Sequence, residues 1–344
     1  MYSSGPNPAA LFLALLTNPQ ASVRQQASLI YTSMFGPRSL TYLRRLLESP
    51  DANVRDQATR ALRAVAEVSR RDPIKHGFPT VSIECLGRVR LYVGAEEIRI
   101  SEQVRLLNSA SGWQKVESCL AYLMHCGRRG ATISSIGAAV WGGRFVEMNV
   151  KRTLDTLQRI VANGCGHDAA ARLFQHTDDH WALATDEVFS DVAAFEEAIN
   201  RAYQLEQRHG RDAAVAVYAQ ACQLYGGPYM AGLLNDAPWA RTRRAQLRAD
   251  YLLAAEALME YTFGCERYRD CIAMGTEIFD GDESADGVVC WLVRAHHQLG
   301  EWGQANYVYR RYLAANRTDA RRALDDGDAV AVVFAELSAL RQIA

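Results

Sequence analysis

The sequence predicts a mainly α-helical protein built in three stretches, with its few strands gathered in the middle one. Three observations lead there. A ten-residue motif near the start returns at an offset of 31 residues, and a second echo, at an offset of 34 residues, marks a last stretch that is helical almost throughout. Between them lie short β-rich runs, three amphipathic helices and a hairpin. At 344 residues the chain exceeds the roughly 250–300 that one hydrophobic core supports. The expected domains are residues 1–75, 80–187 and 188–344. A content of 49% hydrophobic and 22% charged residues is that of a folded globular chain and excludes a disordered one.

In the first stretch, Asn18-Pro-Gln-Ala-Ser-Val23-Arg24-Gln-Gln26-Ala27 is echoed by Ser49-Pro-Asp-Ala-Asn-Val54-Arg55-Asp-Gln57-Ala58. Each copy opens on a polar residue and Pro, a turn that leaves Pro at or before the first helical turn, where its missing N–H does no harm. After the second copy Val54, Ala58, Leu62 and Val65 recur at three- and four-residue spacing, the stripe of an amphipathic helix. The pattern resembles HEAT repeats, in which Val and Ala face the stack and the Arg caps or bridges neighbours. Two copies are too few to bury a solenoid face alone, so the segment is expected to dock on the rest of the chain or on a partner. Arg44, Arg45, Arg60, Arg63, Arg70 and Arg71 are expected on a solvated helix face.

The turn-rich break Asp72-Pro-Ile-Lys-His-Gly-Phe-Pro79 precedes a change of character. Short β-rich runs at 81–85, 88–92 and 97–100 are separated by Leu86-Gly87 and Gly94-Ala95 at the turns. A helix over 113–125 carries Val116, Leu120, Leu123 and Met124 on one side. Thr132 is placed to N-cap a second helix with Ile133, Ile136, Val140 and Trp141. A third, over 147–161, buries Val150, Leu154, Leu157 and Val161. Two runs at 172–176 and 180–183 around Thr177-Asp-Asp then form a hairpin.

Three strands, three helices and a hairpin are the plan of a winged helix with an N-terminal sheet. On these residues the chain resembles the OmpR-like DNA-binding domain found in the Streptomyces antibiotic regulatory protein (SARP) family of bacterial activators. That family shows an early Leu-Gly turn, a helix ending in Leu-Trp, a basic third helix and a wing ending in Gly-Tyr-x-Leu. Here Leu86-Gly87, Val140-Trp141, Asn149 to Arg159 and His180-Trp181-Ala182-Leu183 stand in those places. The resemblance implies a third helix in the major groove and a wing on an adjacent groove or backbone of double-stranded DNA.

With Val150, Leu154 and Leu157 inward, Asn149, Lys151, Arg152, Asp155, Thr156, Gln158 and Arg159 are left to face outward or to flank the core. Lys151, Arg152 and Arg159 suit phosphate or guanine, and Asn149 or Gln158 suits adenine. Arg144 before the helix and Arg172 on the wing are further phosphate candidates. The expected DNA-binding set is therefore Arg144, Asn149, Lys151, Arg152, Thr156, Gln158, Arg159 and Arg172. The family carries two more arginines where Thr156 and Gln158 stand, and Asp155 adds a negative charge to that surface. Three or four phosphate contacts make a weak, steeply salt-sensitive monomer, so a homodimer or a partner such as RNA polymerase or another regulator is expected.

From Asp191 helices alternate with Gly-containing turns. Tyr268, Cys271 and Phe279 recur 34 residues later as Trp302, Ala305 and Leu313, the tetratricopeptide period, and an α-superhelix is expected. Leu224-Tyr-Gly-Gly-Pro-Tyr229, Ala237-Pro-Trp239-Ala-Arg241 and Arg244-Ala-Gln-Leu247-Arg248 resemble the bacterial transcriptional activator domain, which follows the winged helix directly in the same family. The resemblance implies a helical-repeat module for dimerisation, partner or effector contact. Arg241, Arg243, Arg244 and Arg248 are expected to pair with nearby carboxylates, and Trp239, Trp291 and Trp302 to fill the core.

The formal net charge of -1 conceals +5 over residues 1–75, zero over 76–187 and -6 over 188–344, so the last part is not a nucleic-acid surface. No Gly-Lys dipeptide exists to build a phosphate-cradling loop, and no nucleophile–base pattern is readable, so neither an enzyme nor a cofactor is expected. Cys165, His167, His176 and His180 cluster around the wing at a spacing that matches no zinc finger, and a solvated wing is expected there. The eight cysteines include no C-x-x-C pair, no apolar run reaches the ~18–20 residues of a membrane span, and no charged region precedes Ala9–Leu16. The expectation is a cytoplasmic DNA-binding transcription regulator. The rival is a protein-binding scaffold or sensor, favoured by the neutral middle stretch and by Asp155, Asp178 and Asp179.

Overall fold

In a computed structural model, which describes residues 8–71 and 81–343, the 31-residue echo folds into two helix pairs. These are α1 (Pro8–Leu16) with α2 (Ala21–Phe35) and α3 (Arg38–Leu46) with α4 (Ala52–Arg71). The echo is kept in atomic detail. Arg24 Nη1 donates to the carbonyls of Asn18 (2.7 Å) and Pro19 (2.8 Å), and Arg55 Nη1 to those of Ser49 (2.7 Å) and Pro50 (2.8 Å). Each arginine thus ties the turn to the helix it opens. Residues 72–79, where the sequence predicts a turn-rich break, lie outside the described residues, as do the side chains of Arg70 and Arg71.

The strands that follow are β1 (Val81–Glu84), β2 (Arg90–Val93) and β3 (Glu96–Glu97). β1 and β2 pair antiparallel from Val81↔Val93 to Glu84↔Arg90, and β2 pairs β3. The expected strand over 97–100 is shorter than its alternation suggests. Ile100 instead starts α5 (Ile100–Leu106), which sends Ile100 and Val104 inward four residues apart. Next come α6 (Trp113–Cys126), β4 (Ala131–Thr132) and α7 (Ile133–Trp141). Thr132 caps α7 as expected, its Oγ1 accepting from Ser135 N at 3.1 Å. Then α8 (Glu147–Cys165) runs four residues beyond the predicted end and is followed by α9 (His167–Leu173), β5 (Phe174–His176) and β6 (His180–Leu183). The wing sheet has the order β4-β6-β5. The last strand, β7 (Val188–Ser190), returns to pair parallel with β1 and completes the order β3-β2-β1-β7.

The remaining helices are α10 (Asp191–His209), α11 (Arg211–Leu224), α12 (Arg241–Gly264), α13 (Tyr268–Gly281), α14 (Asp286–Gln298), α15 (Trp302–Ala315), α16 (Ala320–Asp325) and α17 (Ala329–Ile343). The 34-residue echo is structural: α13 and α15 both have 14 residues and start on the matched Tyr268 and Trp302. Cys271 and Ala305 are both wholly buried. A Cβ on Gly275 of α13 would stand 2.6–2.8 Å from Met259 of α12 and Leu292 of α14, so a small residue is required where three helices meet.

Contacts divide the chain into two compact units. One comprises Pro8–Glu197 with Gln223–Arg248, and the other includes Ala198–Cys222 with Ala249–Ala344. The second has its own core, in which Phe279, Val288, Leu292, Ala305, Tyr312 and Val330 are buried. Among the described residues no helix is long and apolar enough to cross a membrane, and all eight cysteines are free thiols.

Arg44 and Arg45 are not on a solvated face. Arg44 is 4% exposed, stacked 3.5 Å from the Tyr92 ring and donating to Glu84 Oε1 at 2.8 Å and Gly94 O at 3.1 Å. Arg45 donates to Asp191 Oδ2 at 3.1 Å. Helix α3 is buried on nearly every side, so its arginines dock the first helices on the sheet of the middle stretch.

Candidate nucleic-acid interface

Helix α8 is set by its apolar stripe. Val150, Leu154, Leu157, Ile160 and Val161 are all wholly buried, and the helix packs against α5, α6, α7 and α9. At 100° per residue, Met148, Arg152, Asp155 and Arg159 then fall in one narrow arc on the opposite side, and all four are exposed. Asn149 is exposed at the first turn, and Lys151 and Gln158 are half-buried along one flank. Arg144 is exposed in the connection before the helix.

Two of the expected residues are placed otherwise. Thr156 is 4% exposed; its hydroxyl donates to Arg152 O at 2.8 Å and lies 2.9 Å from Ser109 Oγ. It belongs to the seam where the end of α5 covers α8 and is not available to a groove. The sequence reading missed α5, and with it the serines that follow and take this flank. Arg172 is exposed but sits in the last turn of α9 rather than on a wing strand, because the hairpin begins two residues later than expected. The wing turn carries exposed Asp178 and Asp179, with Thr177 N donating to His180 O at 2.9 Å.

Three arginines of the same module hold carboxylates. Arg90 pairs with Glu48 at 2.6 Å, Arg99 with Glu102 at 3.1 Å, and Arg128 with Asp186. Among the described residues Arg144, Lys151, Arg152, Arg159 and Arg172 pair with no carboxylate. Lys115 donates to Val140 O at 2.7 Å and lies 5.1 Å from the Trp141 ring; burial holds its pKa below the usual lysine range. In the activator-like segment Arg243 pairs with Glu196 at 2.6 Å and Arg244 with Asp236 at 3.0 Å, as expected. Around the wing, His176 stacks on Trp181 (4.3 Å), His180 Nε2 lies 3.0 Å from Arg129 O and Cys165 Sγ donates to Val161 O at 3.2 Å. Among the described residues no three His, Cys, Asp or Glu side chains gather as a metal site would require.

A winged helix joined to a helical-repeat module is thus the architecture. Residues 190–325 match the family model of the bacterial transcriptional activator domain. Among solved structures the chain is similar to Mycobacterium tuberculosis EmbR in complex with a low affinity phosphopeptide, with a TM-score of 0.56 and 17% sequence identity. That match covers 76% of this chain and 65% of that one, so this chain spans less than two thirds of EmbR's length. No curated protein sequence matches. In fold and module order the chain is SARP-like: mainly α, with a winged helix followed by the domain named for bacterial transcriptional activators.

Proposed function

We propose that the chain is a transcription regulator that binds double-stranded DNA through α8, with Arg152 and Arg159 on its exposed arc and Asn149, Lys151 and Gln158 on the flanks. The observation that carries this reading is the set of cations without carboxylate partners on the arc, its flank and its approach, in a module where Arg90, Arg99 and Arg128 each hold a carboxylate. Such cations release counterions when they meet phosphate, whereas paired ones must first give up an internal partner. Arg144 and Arg172 add backbone contacts on either side, and Asn149 and Gln158 supply the amides that pair with adenine. The activator domain provides dimerisation and contact with RNA polymerase, another regulator or an effector. No chemical step is assigned to any residue, and the chain works as a cytoplasmic binding protein organised in the modules 1–75, 80–187 and 188–344.

Asp155 lies between the two arginines and Asp178 and Asp179 occupy the wing tip, which favours the rival reading of a protein-binding scaffold. Gel shifts with promoter DNA at low and at high salt separate the two. A regulator binds at low salt, weakens as salt rises and loses most binding in the double variant Lys151→Ala plus Arg152→Ala. No shift at low salt, or one indifferent to that double variant, rejects the DNA reading.

A further inference from the structure

One guanidinium nitrogen joins segments that are far apart in the chain. Arg45 Nη2 donates to Leu86 O at 3.0 Å, Asp191 Oδ2 at 3.1 Å and Leu224 O at 3.2 Å. These belong respectively to the turn after β1, the first residue of α10 and the last of α11. The same turn is laced to the loop after α11 by the backbone: Gly87 N donates to Pro228 O (3.3 Å), Met230 N to Cys85 O (2.8 Å) and Ala231 N to Gly87 O (2.8 Å). From the other side Asp191 accepts from Cys85 N at 2.7 Å and Leu86 N at 2.9 Å. The Arg45 side chain is 13% exposed and that of Asp191 fully buried, so water replaces few of these contacts when one fails.

Gly226 records how tightly this cluster closes. A Cβ there would stand 2.2 Å from Arg45 Nη1 and 2.3 Å from its Cζ. Its φ is not among the positive ones, so the backbone itself would accept a side chain, and the nearest atoms it would meet are those of the guanidinium.

We propose that Arg45 is a positioning residue: it clamps the activator-domain loop at 224–231 onto the Cys85–Gly87 turn of the winged helix. The helices before the winged helix then set this joint. The clamp needs a donor whose N–H groups are shared among three acceptors, a cation to match the buried carboxylate, and a glycine opposite. It stands on internal geometry and holds whether or not α8 reads DNA.

Hydrogen exchange of the full chain tests it with Arg45→Met, Arg45→Lys, Gly226→Ala and the Met/Ala double variant. Arg45→Met is expected to speed exchange about tenfold or more at the amides of Leu86, Gly87, Met230 and Ala231, with those of Leu154 to Val161 in α8 unchanged. Gly226→Ala, which leaves the arginine in the chain but pushes it aside, should do the same, and it stands alone if Arg45→Met fails to fold. The double variant should exchange no faster than Arg45→Met, because both changes act on one contact. Lysine, with three donors on its ammonium, should restore most of the protection. The proposal is overturned if the joint amides are unmoved, if protection falls equally along the whole chain, if the two changes add, or if lysine is as loose as methionine.

Discussion

Arg44 and Arg45 are adjacent, yet their partners lie 40 and 146 residues further along the chain, at Glu84 and Asp191. Sequence spacing reads both as solvent-facing, because nothing local to α3 supplies the matching carboxylates. Asp191 is wholly buried. Burial and the neighbouring Glu84 push its pKa up, Arg45 and the Cys85 and Leu86 amides pull it down, and the balance leaves it raised from 3.8 to about 6. A raised carboxyl pKa means the folded state keeps its proton where the unfolded chain has already released it. The resulting stabilisation is complete below about pH 4 and fades as pH rises through 6. Asp191→Asn removes that titration. Urea unfolding at pH 4.5, 5.5 and 7 should therefore show wild type losing ground to Asp191→Asn as pH rises; a difference that stays level or grows contradicts the assignment. Other carboxylates act in the opposite sense, Asp186 held low by Arg128 and Glu206 by the Tyr218 hydroxyl and then Arg211, so the comparison between variants is the informative quantity.

At the scale of elements, those whose cause is local were legible. Helix α7 is announced by Thr132 and α8 by its three- and four-residue apolar spacing, and the turns before α2 and α4 by their shared Pro and Arg. Those decided by distant partners were not. Ile98, Arg99 and Ile100 alternate like a strand, yet the chain turns helical at Ile100. Likewise α9 takes Arg172 and Leu173 from the predicted hairpin. The error over Thr156 follows, since a threonine between polar neighbours looks outward until α5 and Ser109 are known to cover it. The Thr132 cap, by contrast, makes a measurable claim. Thr132→Ala leaves the Ser135 amide without its side-chain acceptor and should lower stability by about 1 kcal/mol, while Thr132→Ser changes it little. A shift in the urea midpoint at constant slope is the readout, and equal loss in both variants would place the effect in packing rather than in the cap.

For the molecule as a whole, the near-zero net charge tells less than which charges are internally matched. Composition fixed the neutral balance of residues 76–187, but only the fold separates Arg90, Arg99 and Arg128, which hold carboxylates, from Arg144, Lys151, Arg152 and Arg159, which hold none among the described residues. That separation sets the salt response. If four such cations meet phosphates, the logarithm of affinity falls against the logarithm of salt with a slope of roughly -3.6, so going from 50 to 200 mM salt weakens binding on the order of a hundredfold. Arg152→Ala should reduce the slope by about one and lower affinity for all sequences alike if it holds a phosphate. If it reads guanine instead, it should relax preference at a single base pair and leave the slope nearly unchanged. Asn149→Ala, which carries no charge, should leave the slope alone in either case and alter only sequence preference. Titrations of fluorescent duplexes at four salt concentrations distinguish these outcomes. A slope shallower than about -1 in wild type would mean that the cations on and beside the exposed arc of α8 do not meet the DNA backbone as a set.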